Sequence, residues 1–358
     1  MGQRERDIWV GVPARKIFWP DRAIFGNICR RTATLGRKGK AINQLTVTRE
    51  DVLEARDRIA GLVERTPLIE TEIRGARLWL KCENLQTGGA FKLRGATNRL
   101  LQLSPEERER GVVAFSSGNH ARGVAIAAKR LGIRAVIVMP SDAPKVKVDG
   151  TAAEGAEIVF YDRQTESREE IAARIAGESG ATVVPSFDDP MIVAGQGTVG
   201  LEIAEELGGD PPAVVVPVGG GGLAAGIALA CPGSTIIGAE PTGWDDMRRS
   251  LEVGQIVAVA PNPPPTLCDA LMTPKVSKIT FDVLFEREAR IVAVPDDDVE
   301  VAVLWAFEEH GLTLEPGGAA ALAAVLAGEA DPEEGSVIVL SGGNIDPALH
   351  TAILRSGL

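Results

Sequence analysis

The sequence predicts an α/β protein of two interleaved domains, each a twisted, parallel-rich sheet flanked by helices. Three observations carry this prediction. Short Val- and Ile-rich runs recur along the chain, amphipathic stretches separate them, and the runs are too many for one compact sheet.

The elements follow in chain order. Residues 1–44 are a separate compositional unit, with 10 Lys and Arg against 3 Asp and Glu, leaving 28 against 46 for the rest of the 358 residues. Their aromatic residues are dispersed, and no apolar core of a secretory signal precedes a small-residue cleavage site. Composition favours a poorly ordered basic extension, and an organelle transit peptide also fits. From Thr48 onward the runs "GVVAF" (111–115), "RAVIVMP" (134–140), "AEIVFY" (156–161), "ATVVP" (181–185), "AVVVPV" (213–218), "STIIGAE" (234–240) and "GSVIVL" (335–340) read as buried strands. Helical patterns lie between them. "ARGVAIAAKRLG" (121–132) ends in a glycine suited to a helix C-cap, and "SREEIAARIAGESG" (167–180) starts at a serine N-cap with acidic residues in its first turn. No linker divides the chain in two. A small domain, 106–185, is therefore expected as an insertion in a larger one formed by 45–105 and 186–358.

Composition excludes several function classes. At 45% hydrophobic residues the chain can fill such cores, yet its apolar runs fall well short of the ~18 residues that cross a bilayer. No membrane association is expected. A net charge of −11 argues against a nucleic-acid partner, which needs clustered Lys and Arg. The 4 cysteines (Cys29, Cys82, Cys231, Cys268) lack disulfide or metal-ligand spacing, so a reducing cytoplasm fits best. Small molecules are the expected partners.

Three glycine-containing turns fall at strand ends: "SSGNHARG" (116–123), "VGGGGLAAG" (218–226) and "SGGNID" (341–346). Each alone could be a packing device. Four consecutive glycines at a helix start say more, because their N–H groups can surround a phosphate that the helix dipole also favours. The same stretch supports a rival reading as an NAD-dependent oxidoreductase: Gly219, Gly221 and Ala224 match G-x-G-x-x-A, and Glu240 ends the next strand as a ribose-binding carboxylate would. That reading leaves "GGAFKLRG", "SSGNH" and "LSGGN" unexplained. A P-loop is excluded, since G-x-x-x-x-G-K-[ST] does not occur.

A lysine behind a turn, a phosphate cradle and polar strand-end loops together resemble the pyridoxal-phosphate enzymes of fold type II, the tryptophan-synthase β-like family. The resemblance runs from about Thr48 to the C-terminus. "AFKLRGA", "SSGNHARG", "AGQGTVGLEI", "PVGGGGLAAGI", "LEPGGAAALAA" and "LSGGNID" occur in the order found in threonine/serine dehydratases and serine racemases. It implies that Lys92 forms a Schiff base with the cofactor aldehyde, with Phe91 beside the ring. Only a primary amine can do this; arginine cannot form the imine. It further implies that Gly219, Gly220, Gly221, Gly222 and Leu223 bind the phosphate, and that Ser341 meets the pyridine nitrogen. A hydroxyl is too weak an acid to keep that nitrogen protonated, which favours elimination over transamination. Asn119 would meet the ring oxygen, Ser116, Asn119 and His120 would surround the substrate carboxylate, and Ser117 would face the ring opposite Lys92.

Two details concern the subgroup. "AEPTGWDD" (239–246) resembles a divalent-metal loop in which Glu240, the Trp244 carbonyl and Asp246 hold magnesium or calcium, hard ions that suit oxygen ligands; an acidic surface turn would look the same. Arg168 matches a racemase-type position that can reach a distal substrate carboxylate, though a solvated helix residue fits equally. Ala90 and Ala270 stand where relatives often have serine and glycine. The resemblance thus implies dehydration and deamination of a hydroxy amino acid, L-threonine or L-serine, to a 2-oxo acid and ammonia. The alternatives are threo-3-hydroxyaspartate dehydration, serine racemisation, and a non-catalytic pyridoxal-phosphate-binding protein. A homo-oligomer, a dimer by resemblance, is expected, with no further regulatory domain after Ser341.

Overall fold

A hairpin opens the larger sheet. β1 (Leu68–Ile73) and β2 (Ala76–Cys82) pair antiparallel. The two residues joining them, Arg74 and Gly75, have φ of 54° and 80°, the conformation whose twist matches that of the flanking strands. The computed structural model describes residues 45–116, 118–143 and 145–356, all within the compact unit Ile42–Leu358. The extension 1–44 and Ser117 lie outside the described residues.

The smaller sheet is built from β3 (Val112–Phe115), β4 (Ala135–Pro140), β5 (Glu157–Tyr161) and β6 (Thr182–Val183), in the order β5-β4-β3-β6 and parallel throughout. All four strands lie inside 106–185, the segment we propose as the small domain. The larger sheet adds β7 (Ala213–Pro217), β8 (Thr235–Pro241), β9 (Arg290–Val294) and β10 (Val337–Leu340), in the order β1-β2-β10-β7-β8-β9, with only the β1–β2 pair antiparallel. This is the expected α/β architecture. Three strands, β1, β2 and β9, are additional to the seven expected from the sequence.

Alternation along the strands explains why helices cover both faces of the larger sheet. Val215, Ile338 and Leu340 pack with the helix Pro316–Ala327 on one side, while Val214, Val216, Val337 and Val339 pack with the helices Pro190–Leu207 and Gly222–Ala230 on the other. The expected caps form as well. Gly132 ends the helix Asn119–Leu131 in the left-handed region, and Ser167 caps the helix Arg168–Ser179 by accepting the Glu170 N–H.

Glycines bring the site-bearing helices together. A Cβ on Gly195 would lie 2.6 Å from the Cα of Gly95, and one on Gly226 would lie 2.5 Å from the Gly197 nitrogen. The helix Pro190–Leu207 therefore contacts both the helix that begins at Lys92 (Lys92–Leu101) and the one that follows the glycine loop. An ion cluster fixes the first of these helices from below. The buried Arg94 guanidinium donates to both oxygens of Glu83 at 2.8 Å and to Glu202 at 2.6 and 2.9 Å, while Lys81 donates to Glu202 at 2.7 Å. Every charge in it is paired, as burial requires.

Candidate active site

The C-terminal ends of the parallel strands open into a cavity of about 690 Å³, lined by residues from both sheets. In α/β folds this is where ligands bind. Lys92, Phe91, Ser116, Asn119, His120, Arg168, Gly219, Gly220, Gly221, Gly222, Leu223 and Ser341 all line it. Residues spread over 251 sequence positions, from Phe91 to Ser341, thus share one site.

Lys92 is the first residue of its helix, and its Nζ donates to the Ser186 carbonyl at 3.2 Å. Nζ stands 4.9 Å from the centre of the Phe91 ring. Burial lowers the amine to about 8 from an ordinary 10.5, against the pull of the Glu315 carboxylate. A lysine so held is partly neutral near pH 8 and able to act as nucleophile or base. Ser341, just beyond β10, is buried on the cavity wall, and its carbonyl accepts the Phe91 N–H at 3.2 Å.

The glycine loop leads into the helix Gly222–Ala230, whose first N–H groups have no partner within the helix. Gly221 has φ of 84°, and a Cβ on Gly220 would fall 2.3 Å from the Phe187 ring. The loop therefore presents bare backbone, with no side chain between its amides and the cavity. These features fit a phosphate, and Lys92, Ser341 and Asn119 around the same cavity fit the rest of pyridoxal phosphate.

The "SSGNH" loop is held from several sides. The Gly118 N–H donates to Ser116 Oγ at 3.3 Å, and Asn119 begins the following helix. His120 is buried with Nε2 at 2.9 Å from the Val184 carbonyl, so Nε2 carries the proton. Burial, and then Lys92, depress the imidazole to about 3. Its Nδ1 is buried without a partner and can only accept. This corrects the expectation that His120 helps bind the substrate carboxylate: two acceptors would repel, and the ring instead ties the loop to Val184. Ser117, expected opposite Lys92, lies outside the described residues.

Arg168 opens its helix at the cavity edge, its guanidinium 5.5 Å over the Phe115 ring and its Nε donating to Glu169 at 2.8 Å. The structure thus places it on the cavity rather than on a distant solvated face. Ala270 also lines the cavity, and beside it Asp269 pairs with Lys147 across the opening.

Glu240, Trp244 and Asp246 lie away from the cavity lining. Glu240, fully buried at the end of β8, accepts the Met247 N–H at 3.0 Å and the Arg248 N–H at 2.9 Å, one on each oxygen. Buried away from the cavity, it is out of reach of a ribose bound there, which takes away the carboxylate the dinucleotide reading needs. Asp246 is also buried and accepts the Val276 N–H at 2.9 Å. Burial pushes Glu240 well above the usual carboxylate range and Asp246 up to about 6, and the Asp246 and Asp245 carboxylates raise Glu240 further by repulsion. Among the described residues, no three His, Cys, Asp or Glu side chains converge as a metal cluster. The chemistry of two buried carboxylates beside a backbone loop still fits a hard cation.

Glu315 went unassigned in the sequence. It is buried on the cavity wall, accepts a hydrogen bond from Asn119 Nδ2, and is pushed up to about 7, chiefly by burial. Its signal was a lone carboxylate in the apolar run "LEPGGAAALAA", where few positions reach water.

Comparison with known proteins places these observations in a family. Residues 59–342 match the family described as pyridoxal-phosphate dependent enzyme. The chain is 40% identical over 313 residues to an L-threo-3-hydroxyaspartate ammonia-lyase of Saccharomyces cerevisiae, covering 85% of this chain and 95% of that protein. It is 41% identical over 321 residues to an L-threonine ammonia-lyase of Thermotoga maritima, covering 87% of this chain and 79% of the relative. Maize serine racemase superposes with a TM-score of 0.81 at 35% identity, covering 87% of this chain and 98% of the other.

Proposed function

Because the chain belongs to the family of pyridoxal-phosphate dependent enzymes, we propose that it is an ammonia-lyase acting on a hydroxy amino acid, with L-threonine and L-serine as substrates. The observation that carries this reading is Lys92, an amine lowered to about 8 in a cavity it shares with a bare glycine loop and Ser341. When bound, pyridoxal phosphate supplies an aldehyde that links to amines and a conjugated ring that takes up electron density from the substrate Cα.

The residues of the chain do the rest. Lys92 would link to the cofactor aldehyde, and its Nζ, when free and neutral, would take the substrate Cα proton. The Cα–H and Cβ–O bonds would break, the proton taken by Lys92 would pass to the departing hydroxide as water, and the released enamine would hydrolyse to a 2-oxo acid and ammonia, with no net oxidation. Gly219 to Leu223 would bind the phosphate through N–H groups, Ser341 would meet the ring nitrogen, and Ser116 would orient the substrate carboxylate. Glu240, the Trp244 carbonyl and Asp246 would hold magnesium or calcium. That cation would neutralise two buried carboxylates and brace Met247, whose Cε lies 2.8 Å from where a Gly221 Cβ would be.

Arg168 favours a second reading, an acidic substrate such as L-threo-3-hydroxyaspartate, since its guanidinium borders the cavity. Racemisation of serine would need a proton donor opposite Lys92, the role assigned to Ser117. A cytoplasmic enzyme accords with Cys82, Cys231 and Cys268, buried free thiols that burial raises to about 12; among the described residues no helix is long and apolar enough to cross a membrane. A homo-oligomer, a dimer on the family resemblance, is the expected assembly, to be read by light scattering. A substrate panel decides the chemistry: purified enzyme with L- and D-serine, L-threonine and each 3-hydroxyaspartate isomer, following 2-oxo acid and enantiomer content. If none of the L-substrates yields a 2-oxo acid, the lyase reading fails. If hydroxyaspartate is preferred and Arg168→Ala removes that preference alone, the second reading replaces the first.

A further inference from the structure

Behind the cavity, four side chains form a chain of hydrogen bonds with a guanidinium at one end and a carboxyl group at the other. Arg122 Nη1 donates to Asn344 Oδ1 at 3.0 Å, Asn344 Nδ2 donates to Asn119 Oδ1 at 2.8 Å, and Asn119 Nδ2 donates to Glu315 Oε1. Asn344 Nδ2 also donates to the Gly88 carbonyl at 2.8 Å. Asn119 and Glu315 line the cavity that holds Lys92, whereas Arg122 and Asn344 lie outside it.

The polarity of this chain is set from its ends. A guanidinium can only donate and an ionised carboxylate can only accept. An amide side chain has nearly the same shape when turned by half a rotation, so an isolated asparagine has no fixed donor side. Here both asparagines are fixed. Were Asn119 reversed, its NH2 would face the NH2 of Asn344 and its oxygen would face the Glu315 carboxylate, replacing two attractive contacts by two repulsive ones. Were Asn344 reversed, its NH2 would meet the Arg122 guanidinium and its oxygen the Gly88 carbonyl. Only one arrangement satisfies all four residues, and in it the second Nδ2 hydrogen of Asn119 is left to donate into the cavity.

We propose that Arg122, Asn344 and Glu315 are positioning residues that lock Asn119 as a hydrogen-bond donor toward the ring oxygen of the cofactor. This rests on the pyridoxal-phosphate reading. Donation favours the ionised ring oxygen, so the lock governs the protonation state of the bound cofactor as well as its retention. Arg122 touches nothing in the cavity and acts wholly through Asn344.

The test uses holoenzyme and its visible absorption spectrum, whose long-wavelength band belongs to the cofactor with its ring oxygen ionised. Arg122→Met removes the fixed donor, and Arg122→Lys keeps one. Asn344→Asp keeps the shape but turns a carboxylate oxygen toward Asn119 Oδ1. We expect Arg122→Met to lower the ratio of long- to short-wavelength bands and to weaken cofactor retention, each by roughly five- to tenfold, the size of one ordinary hydrogen bond, since the charge acts only through Asn344. Asn344→Asp should have the larger effect, and Arg122→Lys should restore the wild-type ratio. The proposal is overturned if Arg122→Met and Asn344→Asp both keep the wild-type spectrum and retention, or if Arg122→Lys is as perturbed as Arg122→Met. Should Arg122→Met fail to fold, the isosteric Asn344→Asp alone decides by the same ratio. Borohydride reduction of the wild type separates the two levels: no adduct on Lys92 overturns the cofactor reading itself, whereas an adduct with unperturbed variants overturns only the lock.

Discussion

Replacing Lys92 by methionine should stabilise the cofactor-free protein while abolishing its chemistry. A lowering of the amine from 10.5 to about 8 means that holding its charge in the folded state costs roughly 3 kcal/mol. Methionine keeps the straight apolar stem and loses the hydrogen bond to the Ser186 carbonyl, a loss of about 1 kcal/mol. The net gain near pH 7 is therefore about 2 kcal/mol. Below pH 8 the amine is charged in folded and unfolded chains alike, and the cost is fully present. Above 10.5 it is neutral in both, and the cost vanishes. In between, the unfolded chain binds more protons, so wild-type stability rises with pH relative to the variant. Urea unfolding of the two cofactor-free proteins at pH 7, 8, 9 and 10 measures the difference directly. An advantage for Lys92→Met that shrinks across this range is the expected result. A difference that stays constant from pH 7 to 10 would refute the depressed amine, whatever its sign, because packing changes do not titrate there.

Three further outcomes follow from the site. Gly220→Ala puts a methyl 2.3 Å from the Phe187 ring, so cofactor affinity by absorbance titration should fall by roughly tenfold or more and the unfolding free energy by about 1–3 kcal/mol as the ring is displaced; unchanged affinity would argue against the phosphate cradle. Without a cation, Asp246, raised from 3.8 to about 6, binds protons more tightly when folded, and its contribution to stability falls as pH rises through that interval. Added magnesium or calcium should thus raise the melting temperature over chelator more at pH 7.5 than at pH 5, and no increment at either pH removes the metal assignment. Ser117→Ala should abolish racemisation and D-serine dehydration while L-substrate elimination persists at a reduced rate, as enantiomer-resolved assays would show; loss as complete as in Lys92→Ala would contradict the assignment of Ser117 to the face opposite Lys92.

Most strands of both sheets were legible from their apolar runs, most plainly those buried on both faces, which must be apolar throughout. β7 (AVVVP) and β10 (VIVL) are apolar at every position for this reason. β1 escaped notice because it lies at the sheet edge, where "LIETEI" carries Glu70 and Glu72 on positions that need not be apolar. Site residues on glycine-bearing turns could be found because backbone amides are useful only where side chains are absent. Glu315 could not be found in this way. Its importance lies in what surrounds it, Asn119 from 196 positions away and Gly342 opposite, where a Cβ would come 2.1 Å from its Oε1. His120 shows the opposite failure. Its position was right, but which nitrogen holds the proton was decided by Val184, a strand-end carbonyl that no motif contains.

The three titratable groups of the cavity are tuned by one cause acting on opposite charge types. Burial lowers Lys92 to about 8 and His120 to about 3, and raises Glu315 to about 7. His120 is consequently neutral at every pH at which the fold is expected to work, leaving Lys92 and Glu315 as the pair that titrates near neutrality. Their attraction opposes burial in both: it draws the amine up and the carboxylate down. Ionised, Glu315 keeps Asn119 aimed into the cavity; neutral, Lys92 is ready to accept a proton from the substrate Cα. Near pH 8 both conditions are met together, because Glu315, at about 7, is mostly ionised while Lys92, at about 8, is partly neutral, and proton transfer is efficient when a base titrates near the working pH. An exposed lysine would meet the second condition only near pH 10, and an exposed carboxylate would satisfy the first at the cost of solvating Asn119. The dry wall formed by the "LEPGGAAALAA" helix is thus as necessary to the site as the lysine it faces.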